Sequence, residues 1–84
     1  MIEAEALEAR IREGLTDVSH IAVRDLTGTK DHWEALIVSN AFIGKSRIEQ
    51  HQMVYAALGE LMSGPIHALA LQTHTPESWA EAKG

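Results

Sequence analysis

Five histidines and no cysteine set the chemistry open to this chain. A neutral imidazole is a good ligand for iron, zinc and copper. Without a thiol the chain has no disulfide, no thiolate zinc site and no iron–sulfur cluster of its own, so a soft metal bound here must share sulfur from another molecule. His67 opens the apolar run Ile66-His67-Ala68-Leu69-Ala70-Leu71, and His32 follows the polar stretch Thr29-Lys30-Asp31. On composition alone, a histidine at the start of a strand is more often a hydrogen-bonded surface residue than a ligand. His51 falls on an apolar helical arc and reads as a structural histidine, hydrogen-bonded in the core. His20 faces away from Ile21 and Val23 and reads as solvated. His74 precedes Thr75 and reads as a partner in local turn hydrogen bonding. Gly44-Lys45-Ser46 echoes the end of a phosphate loop, but Ser39 stands where that loop needs its first glycine. No His-Glu-x-x-His pair and no nucleophile–base pair at a workable spacing is present, so no enzymatic activity is expected.

Several elements must hold these residues. Ala4, Leu7, Ile11 and Leu15 recur every three or four residues, which predicts a helix over 2–15, weakened and ended by Gly14 and Thr16-Asp17. Alternation over 18–25 predicts a half-buried strand, and 32–39, rich in Trp33, Leu36, Ile37 and Val38, predicts a second. The short connector between them favours antiparallel pairing. A tight link over 40–45 leads into Ser46-Arg47-Ile48-Glu49, a capping box that starts a helix running to about Met62. Ile48, His51, Val54, Tyr55, Leu58, Leu61 and Met62 are expected on its buried arc. Ser63-Gly64-Pro65 stops it, with Gly64 able to take the left-handed conformation. A third strand follows over 66–73, and Thr75-Pro76 opens a last short helix whose Trp79 is expected to fold back on the core. The long crossover allows the second and third strands to lie parallel. The fold class is therefore α/β (α+β), a small sandwich of a three-stranded mixed sheet with helices packed on one face.

Bulk properties narrow the function. The 84 residues make one domain, 1–84, with a small core and little room for an enclosed active site. A net charge of −5 argues against strong sequence-independent nucleic-acid binding, which needs Lys and Arg against phosphates. No apolar run approaches a membrane span, and the acidic start, Met1 to Glu5, is unlike a secretory or transit sequence, so a cytoplasmic location and no membrane partner are expected.

Two strings add a resemblance. Phe42, Gly44, Ser46, His51 and Val54-Tyr55, followed by Ile66-His67-Ala68, Thr75-Pro76-Glu77 and Trp79, are similar in order and spacing to the signature of the BolA family. The resemblance covers about residues 3–80. It implies a class II KH-like fold in the order α-β-β-α-α-β-α. It also implies a non-enzymatic adaptor that binds a monothiol glutaredoxin and shares a [2Fe-2S] cluster, in iron–sulfur trafficking or iron sensing. By that likeness His67 is a cluster ligand and His32 the second, with the remaining ligands from a glutaredoxin cysteine and glutathione; no cofactor is expected in the isolated chain. Imidazoles can replace two cysteines on one iron, as in Rieske centres, and must be neutral to bind. The alternative is a transcriptional regulator that binds nucleic acid, at most weakly, through the helix-turn-helix-like segment 40–62. Phe42, Gly44, Lys45, Ser46 and Arg47 are the expected partner or nucleic-acid surface. Monomer and weak homodimer both remain open for the free protein.

Overall fold

The computed structural model describes residues 2–29, 32–64, 66 and 68–83. The N-terminal stripe forms helix α1, Ala4–Gly14, which buries Leu7 and Ile11, and Leu15 just beyond it is buried too. Gly14 does more than weaken the helix. A Cβ there would run into the Cβ of Ala57 and stand 2.7 Å from its Cα. The missing side chain is what lets α1 lie directly against the neighbouring helix.

Strands β1, Val18–Asp25, and β2, His32–Ser39, pair antiparallel, with a bulge between Val18 and His20. Strand β3, Ala68–His74, pairs parallel to β2 and gives the sheet order β1-β2-β3. β3 starts two residues later than the apolar run suggests. The Ile66 N–H donates to the Leu61 carbonyl at 3.0 Å, so Ile66 is drawn into the preceding turn while its side chain stays in the core.

Helix α2 spans Arg47–Leu58 and is shorter than expected. Gly59, at φ +56°, breaks it, and a 3₁₀ turn over Gly59–Ser63 carries the chain on. The positive φ thus falls at Gly59; Gly64 has φ −132°. Pro65 lies outside the described residues. The expected buried arc of α2 is also too wide. Val54 and Leu58 are fully buried and Leu61 and Met62 partly so, but Ile48 is 71% and Tyr55 40% exposed. At 100° per residue, positions 54, 58 and 61 form one stripe, and 48, 52 and 55 form the next one round the helix.

Residues that face one another across paired strands share a face. Trp33, Ala35 and Ile37 of β2, with Ile21, Val23, Leu69 and Leu71 beside them in register, face α1 and α2 and build the core. Ser39 is the buried polar residue at its rim. Its hydroxyl donates to the Thr16 carbonyl at 2.7 Å and accepts from the Ala41 N–H at 3.0 Å, so its burial leaves no unmet hydrogen bond. The other face carries His20, Arg24, Glu34 and Gln72. Helix α3, Pro76–Lys83, begins after Thr75, which exchanges side-chain-to-backbone hydrogen bonds with Ser78 at 3.1 Å in both directions. Trp79 does not join the core. It stacks on His20, with ring centroids 5.3 Å apart, and tilts against His74 at 5.5 Å, both residues of the second face.

Candidate functional site

His32 is the first residue of β2 and is half-buried. Its backbone carbonyl accepts from the Leu26 N–H at 2.9 Å and closes the connector from β1. Its register partner is Ala68, the first residue of β3. His67 lies outside the described residues, but both its chain neighbours are described: Ile66 is anchored in the core, and Ala68 stands beside His32. Two strands that run parallel must start at the same end of the sheet. The topology therefore sets His32 next to the residue that follows His67, although they are far apart in sequence. Among the described residues, no three His, Asp or Glu side chains gather around a point that could hold a metal ion.

The other expected surface, residues 42–47, lies at the opposite end of β2. Seven residue steps separate His32 from Ser39, about 23 Å at strand rise. The His32 end of the sheet and the link are thus two separate places. Asn40–Phe42 forms one 3₁₀ turn. Phe42 is fully buried and so serves as the link's anchor, which removes it from the partner surface. Ile43, 61% exposed, takes the outward position instead. Gly44, at φ +79°, reverses the chain with open space around it. Lys45, Ser46 and Arg47 are exposed.

The capping box is formed as the sequence predicts. Ser46 Oγ accepts from the Glu49 N–H at 3.2 Å, and Glu49 Oε1 accepts from the Ser46 N–H at 2.8 Å. The Ser46 backbone N–H, then its hydroxyl, hold the Glu49 carboxyl below its ordinary pKa, and the Lys45 charge adds to this. Gln50 was not singled out by sequence, yet it fastens this end of the molecule. Its Nε2 donates to the carbonyls of Phe42 at 3.4 Å and Lys45 at 3.0 Å, while Oε1 accepts from the Thr73 hydroxyl at 2.6 Å.

The remaining histidines gather at the link end. His74 Nδ1 meets Ser78 Oγ at 3.1 Å, the local turn bonding expected of it. His20 is exposed, as expected, but stacked on Trp79. His51 differs from expectation. It is half-buried, has no hydrogen-bond partner among the described residues, and lines a groove beside β3. Sequence reasoning also missed Ile43, Ile48 and Tyr55 as exposed apolar residues. The polar Gln52 between Ile48 and Tyr55 was the signal that their stripe leaves the core.

The chain thus combines a crossover helix between parallel strands, a capped helix after a buried Phe42, and His32 at the start of β2. The sequence model of the BolA-like proteins matches residues 5–78, and the chain belongs to that family. BolA-like protein 1 of Bos taurus is 44% identical over 54 residues, 64% of this chain and 40% of that protein. The DNA-binding transcriptional regulator BolA of Escherichia coli (strain K12) is 38% identical over 52 residues, 62% of this chain and 50% of that one. The aligned part thus spans half or less of these two relatives. The structure of a BolA homologue from Coxiella burnetii matches with a TM-score of 0.82 and 31% identity, over 95% of this chain and 99% of that one. Among the described residues, no helix is long and apolar enough to cross a membrane.

Proposed function

We propose that this protein is a non-enzymatic, cytoplasmic adaptor that binds a monothiol glutaredoxin and shares a [2Fe-2S] cluster with it. His67 and His32 would supply imidazole nitrogens, and the glutaredoxin cysteine and glutathione would supply thiolates. The observation that carries this reading is the parallel register of His32 with Ala68, which follows His67, in a chain without sulfur ligands. The donor set fits. One or two imidazoles suit an iron that has other thiolate ligands, and they are too few to retain a cluster alone. A cluster bound there would supply electron-accepting iron; His32, at the start of β2 beside Ala68, would offer its imidazole to it.

The test mixes the protein with a glutathione-loaded monothiol glutaredoxin and its cluster. A changed visible spectrum and a 1:1 complex are expected, and both should be lost in His67→Ala. An unchanged spectrum and complex in that variant would overturn the ligand assignment. His32→Ala is expected to alter the spectrum while leaving the complex formed.

A second reading is DNA binding at the other end of the molecule. Lys45 and Arg47 stand exposed at the start of α2, and the E. coli relative is named a DNA-binding transcriptional regulator. This activity would be weak, because the chain is acidic overall. Salt-dependent binding to a promoter fragment, abolished by Lys45→Glu with Arg47→Glu, is its expected signature.

A further inference from the structure

Leu71, Gln72, Thr73 and His74 line one groove of about 280 Å³ together with Arg47 and His51 of α2. Successive strand residues point to opposite faces. Four consecutive residues can therefore border a single groove only along the edge of their strand. β3 is the outermost strand on that side. Among the described residues, no backbone group outside the sheet pairs with β3 from Leu71 to Thr73. An edge of this kind offers its outward N–H and C=O groups to any further strand.

The groove is also chemically distinct from the rest of the surface. Arg47 and His51 are one helical turn apart, so both overhang it from α2. Arg47 has no ion-pair or hydrogen-bond partner among the described residues. His74 uses Nδ1 towards Ser78, which leaves Nε2 uncommitted. Among the described residues no Asp or Glu lines the groove, although the chain carries 12 of them against 7 Lys and Arg. The fold has thus kept carboxylates away from an open strand edge and placed a guanidinium over it. A guanidinium pairs best with a carboxylate, through two parallel hydrogen bonds.

We propose that the free edge of β3 accepts an extended acidic segment of a partner protein as a fourth strand. Its backbone pairs with Leu71–His74, and one of its carboxylates meets Arg47 across the groove. Strand addition supplies affinity through the backbone, and the side chains facing the wall select the sequence. A second copy of this chain fits poorly, since pairing the same edge of two copies would bring Arg47 against Arg47. A nucleic-acid backbone fits poorly too, because it calls for several cations and the groove holds one guanidinium.

The test is a titration of the isotope-labelled full chain, followed by NMR, with a short peptide alternating valine and glutamate. Its counterpart with lysine for glutamate, inorganic phosphate and a single-stranded oligonucleotide are titrated in parallel. The glutamate peptide should shift amide signals at 71–74 and 47–51 and slow solvent exchange of the outward β3 amides. Arg47→Glu should weaken binding roughly tenfold, the loss of one charge-assisted hydrogen bond. The first turn of a helix favours an acidic residue, so that variant should stay folded; Arg47→Gln provides a second variant with a smaller loss. Equal binding of the lysine peptide, the same shifts from phosphate alone, stronger binding of the oligonucleotide, or shifts that appear on concentrating the protein without peptide would each overturn the proposal.

Discussion

Helices α1 and α2 lie side by side on the same sheet, yet they use their apolar residues differently. In α1 a single stripe, Leu7 and Ile11 with Leu15 following, goes entirely into the core. In α2 one stripe, Val54 and Leu58, goes in, while Ile48 and Tyr55 stay out with Ile43 nearby in the chain. The fold takes in the large apolar side chains of α1 and leaves two large ones of α2, Ile48 and Tyr55, outside. What α2 does not bury begins at Ile48, next in the chain to Arg47. The first helix is there to hold the sheet, and the second holds the sheet while presenting a surface.

The contrast can be broken by substituting each helix in turn. Ile11→Ala should have the largest effect, about 2–5 kcal/mol of stability lost in chemical denaturation, because Ile11 is fully buried. A loss under about 1 kcal/mol would mean that α1 is not the rigid partner described. Gly14→Ala should come next, at about 1–3 kcal/mol, since its methyl would have to displace α2 at Ala57. Ser46→Ala should cost about 1 kcal/mol through the lost cap of α2. The same cap has an acid signature. The folded state lowers the Glu49 pKa below its ordinary 4.5, so its contribution is complete above that pH and is lost as pH falls through the depressed folded value. Glu49→Gln should remove this part of the acid limb of a stability–pH curve; an unaltered limb would show that the cap does not sense protonation. Ile48→Ala should change least, within about 0.5 kcal/mol, because that side chain is mostly in water. If it cost as much as Ile11→Ala, the two helices would be alike after all.

Much of the fold was legible because it rests on local rules. Alternation located β1, turn length set its antiparallel partner, and Ser46 with Glu49 marked the start of α2 to the residue. Thr75-Pro76 marked α3 in the same way. What was not legible depends on contacts between elements. The close approach at Gly14 follows from how the two helices meet, which no spacing along one of them reveals, whereas the end of α2 at Gly59 was a local glycine signal passed over in favour of Gly64. Trp79 was expected to fold back on the core, but it packs on the His20 and His74 rings of the far face, a contact between elements that spacing along α3 does not show. At the candidate sites, register explains why His32 and residue 68 come together, since parallel pairing brings strand starts side by side. Phe42, expected on the surface, is buried because the 3₁₀ turn points it inward and leaves Ile43 outside. His51 sits where the buried stripe of α2 runs out towards the helix start, so an arc drawn from spacing alone placed it too deep.

Gln50 has a mechanical consequence. One carboxamide grips the loop ahead of α2 with its nitrogen and the rim of β3 with its oxygen. It works as a rivet through three layers of chain. Whatever pulls Thr73 outward loads that rivet and, through it, the carbonyls of Phe42 and Lys45. Displacing the strand rim without the loop therefore costs hydrogen bonds of this one side chain.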